Sequence, residues 1–156
     1  MRRSDREVTS RAGIAEIIAA CDCCRVGFAD AGGVYIVPMN FAYVDNGALG
    51  ALYFHGAKEG RKAGLIAARP EVGFEMDCGH RLNPSGRACG YSFAYKSVIG
   101  TGRIAPVEDT GEKKRALAAI MAHYAPESSW DFTDEQAFSA AVFRLDIESL
   151  SCKAHP

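Results

Sequence analysis

Three cations crowd the start of a predicted helix. In the stretch "YFHGAKEGRKAGLIAARP", residues 53–70, Lys58, Arg61 and Lys62 stand where a strand-like segment turns into an apolar helical pattern. A helix N-terminus already carries a partial positive charge of about +0.5, so positive side chains are unfavourable there unless an anion lies among them. The residue types and their spacing therefore predict an anion-binding site.

A phosphate monoester has the charge that this site calls for. Lys58 and Lys62 are four residues apart and share a helix face, and the free backbone N–H groups of the first turn point the same way. Gly56 and Gly60 permit close approach of the backbone to an anion. A phosphate carries a charge of about −1.5 to −2 at neutral pH and accepts several hydrogen bonds. The alternative is a solvated charged surface that Glu59 partly neutralises, and the pattern alone leaves both open.

The elements that must position these cations read as strands joined by hairpins, with a few helices. The predicted helices are 10–22, the cationic segment, and one that begins at a capping box of Asp109 and Glu112. The predicted strands are 26–28, 34–43, 49–56, 71–78, 91–108 and 140–150, with a loop over 79–90. This order favours an antiparallel barrel over a doubly wound sheet, and neither a G-x-G-x-x-G nor a P-loop motif is present.

Particular residues refine the strand predictions. Pro38 cannot donate to a sheet ladder, so it predicts an edge, a bulge or a place where the strand faces something other than a neighbour. The "DNG" at 45–47 predicts a hairpin, and Gly100 and Gly102 permit a bend in the long strand. Three alternating aromatic residues at the start of that strand are predicted to face the core: Tyr91, Phe93 and Tyr95.

Length and composition narrow the class of protein. A chain of 156 residues predicts one domain, residues 1–156, with a single core. The net charge of −1 gives no reason to expect a nucleic acid or a membrane surface as partner. The N-terminal stretch "MRRSDREVTSRAG" lacks the apolar run of a signal peptide, so a cytoplasmic location is expected.

Six cysteines invite two interpretations. A disulfide framework is not expected in a chain of this length and hydrophobicity without an export signal. A structural zinc could use Cys21, Cys24, Cys78 and Cys89, but the last two lie eleven positions apart rather than forming a second compact pair. Buried reduced thiols are the favoured interpretation, and no metal is predicted.

The chain resembles a known family over residues 2–150. The motifs that carry the resemblance are "RRSDREV", "YIVPMNFAY", "LYFHGAKEGRK", "SVIGTGRI" and the late "HY…WDF…VFRLDIE". Together they resemble the pyridoxamine-phosphate-oxidase-like flavoproteins, and within them the nitroimidazole-resistance (Nim-type) reductases. The resemblance implies a mainly β fold, a six-stranded antiparallel Greek-key split barrel, that forms a homodimer with FMN in clefts at the subunit interface.

The resemblance also implies site residues. Those implied to bind FMN are Lys58, Arg61 and Lys62 at the phosphate, Pro38, Met39 and Asn40 along the edge of the flavin ring, His55 beside the ring, Ser97, Val98 and Ile99 on its other side, and Trp130 near the substrate. His55 is the predicted catalytic residue, because an imidazole can orient or protonate an acceptor near neutral pH. From residue type alone, a core histidine is the favoured interpretation of His55, and Trp130 could be packing at a subunit interface.

The implied activity is electron transfer by way of FMN, from NADH or NADPH to a small acceptor such as a 5-nitroimidazole. The chain departs from the pyridoxamine-phosphate oxidases at their final Arg-Leu-x-Pro element, where it has only "RLDI" at 144–147. Oxidation of the vitamin is therefore not expected. The alternatives are a non-catalytic split-barrel module that binds flavin, the deazaflavin F420 or haem, and a zinc-stabilised interaction domain.

Overall fold

Residues 3–156 are described by a computed structural model. The strands are β1 Cys24–Asp30, β2 Gly33–Met39, β3 Phe41–Val44, β4 Ala51–Gly56, β5 Glu71–Asn83, β6 Ser92–Pro106 and β7 Ala141–His155. The helices are α1 Arg11–Ala19, α2 Arg61–Ala68, α3 Thr110–Tyr124 and α4 Asp134–Ser139, with short 3-10 helices at Ser4–Arg6 and Ala88–Gly90. No helix in this range is long and apolar enough to cross a membrane.

One antiparallel sheet bends into the predicted split barrel. Its strand order is β2-β1-β5-β6-β7-β4-β3, and each neighbouring pair is antiparallel. The two outermost strands, β2 and β3, follow one another in the chain through the single residue Asn40. The predicted strand 34–43 is therefore two strands, which is why the count is seven rather than six. Pro38 lies on the edge strand β2, where it needs no second hydrogen-bonded neighbour.

The side chains of the sheet form two cores, one inside the barrel and one under a helix. Strand β4 shows the division, because successive side chains of a strand point to opposite faces. Leu52 and Phe54 point into the barrel and are fully buried. Tyr53 points outward and packs with Leu117 and Ile120 of α3. Helix α3 thus covers the outer face of one part of the sheet and leaves other strands uncovered.

Two glycines let the long strand β6 pack closely against its neighbours. A Cβ at Gly100 would lie 2.4 Å from the ring of Phe74, and one at Gly102 would lie 2.2 Å from the carbonyl oxygen of Asp146. The pairing of β6 with β7 is irregular between Thr101 and Gly102, beside the glycines that were predicted to permit a bend in this strand.

Three further strand predictions need correction. Strand β7 continues to His155 rather than ending at residue 150, because its last residues pair with the start of β6. Strand β5 continues through residues 79–83, which were predicted as loop, because Arg81, Leu82 and Asn83 pair with the start of β6 beyond an irregularity at Cys78. The resulting β5–β6 arm projects its side chains into solvent. Tyr91 and Phe93 are 49% and 50% exposed. The prediction that the aromatic face of Tyr91, Phe93 and Tyr95 belongs to the core of this chain was therefore wrong.

The starts of α1 and α3 agree with the predictions, whereas α2 begins later than predicted, at Arg61. Ser10 caps α1 by accepting from the Gly13 N–H, but the helix ends at Ala19 rather than at residue 22. Asp109 caps α3 by accepting from the Glu112 N–H. The reciprocal half of the predicted capping box is missing, because the Glu112 carboxylate instead accepts from Tyr53 and Arg144.

Candidate functional site

The cationic segment lies where β4 ends and α2 begins. Gly60 is the N-cap of α2 with a φ of 113°, a conformation that favours glycine, and no side chain caps this helix start. The backbone N–H groups of the first turn therefore lack a side-chain acceptor. Asn40, which connects β2 to β3, lies at the same end of the barrel, because the neighbouring Met39 contacts Lys62 of α2.

Lys62 is a half-buried cation in apolar surroundings. Its Nζ lies 3.3 Å from Sδ of Met39 and 5.5 Å from the ring centroid of Phe143. Burial lowers the pKa of this amine below its ordinary value, because the charged form loses solvation. No carboxylate within residues 3–156 forms an ion pair with it. A Cβ at Gly56 would lie 2.5 Å from Nζ, so this glycine provides the space for the amine.

Lys58 also lacks a carboxylate partner in the described part of the chain. It lies on the exposed turn between β4 and α2, before the helix begins, so the expectation that it shares a helix face with Lys62 was wrong. Its Nζ is 4.3 Å from the ring centroid of Phe138 in α4, a cation–π contact. An anion placed at the start of α2 would meet two positive charges that the protein itself leaves unbalanced. This donor set fits the phosphate of a mononucleotide.

Arg61 is engaged differently from the two lysines. Its Nε and Nη2 donate to Oδ2 of Asp30 at 2.9 and 2.5 Å, and its guanidinium lies 4.1 Å from the ring centroid of Tyr35. The hydrogen bond from Arg61 lowers the pKa of the Asp30 carboxyl. In this arrangement Arg61 fastens α2 to the β1–β2 hairpin, and its predicted contact with a phosphate stays a prediction.

The residues predicted to flank a flavin ring lie in two places on the sheet. Pro38, Arg25, Glu75 and Ile99 pair in one row across β2, β1, β5 and β6. Three strand spacings of about 4.8 Å separate Pro38 from Ile99 by about 14 Å. Asn40 is exposed beside Pro38, whereas the Met39 side chain turns inward. The two predicted sets therefore share one end of the barrel wall but do not meet within one chain.

The three predicted β6 residues alternate between the two faces of the sheet. Ile99 is 55% exposed on the outer face, and Ser97 lies on the same face opposite Asp77. Val98 points into the barrel core and is fully buried. Its side chain cannot contact a cofactor on the outer face, which leaves only its backbone for the predicted role.

An open apolar cleft of about 590 Å³ occupies the outer face between these two sets. Its floor is formed by Gly27 and Gly73, which carry no side chains. Val34 and Ile36 of β2 stand at 72% and 61% exposure on one side, and Ile99 stands on the other. This is a broad uncovered hydrophobic surface of the kind that marks an interaction site.

His55 is exposed near the end of β4, where it pairs with Val142 of β7. It makes no side-chain hydrogen bond within the described residues. The alternative that His55 is a core histidine is therefore wrong. Its position two residues after the buried Tyr53 and three before Lys58 places it between the covered sheet and the cationic turn.

Trp130 lies in the segment between α3 and α4. Its Nε1 donates to the carbonyl oxygen of Ala125 at 3.0 Å, at the end of α3. The indole is thus fixed against the end of α3 in its own chain, and its predicted place near a substrate stays a prediction.

The cysteines do not form a metal centre in the described structure. Residues 3–156 contain no group of three or more His, Cys, Asp or Glu side chains that could hold a metal ion. Cys21, Cys24 and Cys152 are buried, and burial raises the pKa of each thiol. Cys89 is exposed near the tip of the β5–β6 arm. The four cysteines of the zinc alternative are not part of such a group, and Cys152 belongs to the barrel core.

Sequence reasoning missed several residues that shape this site. The missed residues are Asp30, Tyr35, Phe138 and Phe143. Asp30 stood out only as part of the turn "DAGG", and nothing in the local sequence links it to a partner 31 positions away. The exposure of Phe138 also depends on how α4 sits on the barrel.

The strand order and the uncovered outer wall define a split-barrel protein, and comparisons with known proteins agree. A family model described as pyridoxamine 5'-phosphate oxidase matches residues 10–154. The chain belongs to this family, whose fold binds flavins. No curated protein sequence matches the chain.

Solved structures provide further likenesses. A protein from Bacteroides thetaiotaomicron, provisionally described as a 5-nitroimidazole antibiotic resistance protein, is 30% identical, with a TM-score of 0.81 over 95% of this chain and 86% of the other. The flavocytochrome Anf3 from Azotobacter vinelandii is 19% identical, with a TM-score of 0.82 over 100% and 72%. An FAD and heme binding protein from Mycobacterium smegmatis is 17% identical, with a TM-score of 0.82 over 96% and 73%. The last two show the fold alone.

Proposed function

We propose that this protein is an FMN-dependent oxidoreductase that passes electrons from NADH or NADPH to a small acceptor. The observation that carries the proposal is the half-buried Lys62 amine, which has no carboxylate partner in the described chain and lies beside the start of α2. The 30% identical relative supports a nitroaromatic acceptor such as a 5-nitroimidazole.

The residues at the α2 start would hold the phosphate end of FMN. Lys58 and Lys62 would balance its charge, and the uncapped N–H groups after Gly60 would donate hydrogen bonds. Pro38 and Asn40 would lie along the ring edge, because they flank Met39, whose sulfur contacts the Lys62 amine. FMN, when bound, would supply hydride and electron transfer.

A second copy of the chain would complete the site. Pro38 and Ile99 lie about 14 Å apart on one barrel wall, so a ring held near Pro38 is out of reach of the same chain's Ile99. The apolar cleft between them is wide, uncovered and floored by glycines. We therefore propose a homodimer through this face, in which the Ser97–Ile99 segment of one subunit flanks the flavin of the other.

His55 is the proposed group that orients or protonates the acceptor. Its imidazole is exposed and has no partner among the described residues, so it is available to a bound molecule. Trp130 is proposed to line the acceptor side across the subunit interface.

The structure favours this activity over oxidation of a vitamin B6 phosphate. Arg144 belongs to the "RLDI" stretch that departs from the Arg-Leu-x-Pro element. Its guanidinium already donates to Asp146 at 2.7 Å and to Glu112 at 3.3 Å. An arginine balanced by two carboxylates has little charge left to offer a phosphorylated substrate.

An anaerobic spectrophotometric experiment tests the proposal. FMN-loaded protein is mixed with NADH or NADPH, and the flavin absorbance near ~450 nm is followed before and after a 5-nitroimidazole is added. The proposal expects bleaching by the nicotinamide and recovery by the nitro compound. A non-catalytic flavin module would retain the cofactor without bleaching. As control, His55→Ala should slow the recovery step and leave the bleaching step unchanged.

A further inference from the structure

A second cavity adjoins the phosphate site and shares Lys58 with it. It has a volume of about 300 Å³, at the lower end of the range of small-molecule sites. Its walls are Lys58, the end of β6 and the turn after it (106–108), Lys113 of α3, Phe138 of α4 and the start of β7 (140–143).

Phe138 gives this cavity an aromatic wall. Its neighbour Ala137 is fully buried and anchors the short helix α4, whereas the Phe138 ring is 72% exposed. The ring does not serve the core of this chain. With the Lys58 ammonium 4.3 Å from its centroid, it is a flat apolar surface next to a positive charge. Such a wall suits a purine ring that carries phosphate groups.

The charged residues of the cavity have complementary roles for the same kind of ligand. Neither Lys58 nor Lys113 forms an ion pair with any described carboxylate, so both are available to a phosphate group. Glu108 lies on the wall as well and also has no ion-pair partner in residues 3–156. A carboxylate can accept from the exocyclic amino group of adenine.

The cavity is continuous with the phosphate site through shared residues. Lys58 lines the cavity, and it lies four residues before Lys62, on the turn that leads into α2. Phe143 also lines the cavity, and its ring centroid is 5.5 Å from Nζ of Lys62. A ligand with two linked phosphates would therefore reach from one site into the other.

We propose that this cavity binds the adenosine diphosphate part of a dinucleotide. Phe138 stacks on the adenine, Lys58 and Lys113 balance the phosphates, and Glu108 accepts from the adenine amino group. This inference rests on the proposed function, which places the phosphate of the flavin beside Lys62. Two dinucleotides carry this group: FAD in place of FMN, or the NAD(P)H that the proposed activity requires.

The test begins with ADP alone, titrated calorimetrically into cofactor-free protein. We expect ADP to bind and Phe138→Ala to weaken its binding by roughly tenfold or more, as expected for loss of a base-stacking ring. Phe138→Trp should restore binding. Tyr91→Ala, which removes another exposed aromatic residue at a distant arm, is the matched control and should change nothing. Absence of ADP binding, or equal ADP affinity of the Phe138→Ala variant, would overturn the proposal.

Parallel titrations distinguish the two sources and separate this inference from the proposed function. If the group belongs to FAD, the Phe138→Ala substitution weakens FAD but not FMN. If it belongs to NAD(P)H, the substitution weakens the nicotinamide dinucleotide on FMN-loaded protein. FMN binding without ADP binding overturns the cavity proposal alone. ADP binding sensitive to Phe138 without any flavin binding supports the cavity proposal and contradicts the proposed function.

Discussion

Replacing Lys62 with methionine separates the charge of this side chain from its packing. The Lys62 amine lies 3.3 Å from the Met39 sulfur, near the Phe143 ring, so a methionine of similar length can occupy the same apolar notch. A charge-assisted hydrogen bond contributes about 1.5–3 kcal/mol. Its loss should weaken FMN binding by about 10- to 150-fold. Removing a half-buried charge should at the same time leave the free energy of unfolding of the cofactor-free protein unchanged or raise it by up to about 1 kcal/mol.

The pH dependence of stability gives the same substitution a second readout. Burial lowers the pKa of Lys62 from its ordinary value of 10.5, so just below pH 10.5 the unfolded chain binds more protons than the folded one. The contribution of Lys62 to the free energy of unfolding is therefore lower at neutral pH, and it rises as the pH rises towards 10.5. The Lys62→Met variant should lack this rise.

Binding is measured by quenching of FMN fluorescence, and stability by denaturant unfolding of cofactor-free protein at several pH values. Arg69→Met removes a cation from the C-cap at the other end of α2 and is the matched control. It should bind FMN as the original chain does. Unchanged FMN affinity in Lys62→Met would refute the assignment of the phosphate to this site. A large loss of stability would refute the claim that the space between Met39 and Phe143 accommodates an uncharged side chain of similar length.

The remaining predictions concern the space beside Lys62, the barrel wall and the thiols. Gly56→Ala should displace the Lys62 amine by about 1 Å and weaken FMN binding roughly tenfold in the same titration, since the new Cβ would lie 2.5 Å from Nζ. Ile99→Asp should convert a dimer to a monomer in sedimentation, whereas Val98→Ala should lower the free energy of unfolding by about 1–3 kcal/mol; a stable dimer of the Asp variant would contradict the proposed interface. In native protein Cys89 should react rapidly with a thiol reagent and Cys21 only after unfolding, and equal rates would be the contrary result.

Local chemistry made part of this structure predictable from sequence. The hairpin at "DNG" and the caps Ser10 and Asp109 depend on residues within four positions of one another. The cationic cluster of the site belongs to the same class, because Lys58 and Lys62 are only four residues apart in the sequence. Their lack of carboxylate partners in residues 3–156 is what the structure adds.

Non-local pairing explains what the sequence could not predict. The extension of β5 depends on partners in β6 about ten residues away across a turn-rich tip, where "GHRLN" has no strand-like composition of its own. The sequence alone does not distinguish Arg61 from the two lysines, because Asp30, which accepts its hydrogen bonds, lies 31 positions away. The opposite orientations of Val98 and Ile99, by contrast, follow from strand alternation and were available from the sequence.

The absorption spectrum of the freshly purified protein, with heat release and mass identification of any bound molecule, tests the central claim most directly. The account predicts flavin bands near ~450 nm, release of a flavin nucleotide, and their loss in the variant with Lys58 and Lys62 both replaced by alanine. A colourless protein that does not take up added FMN, or a haem Soret band in place of flavin bands, would contradict it.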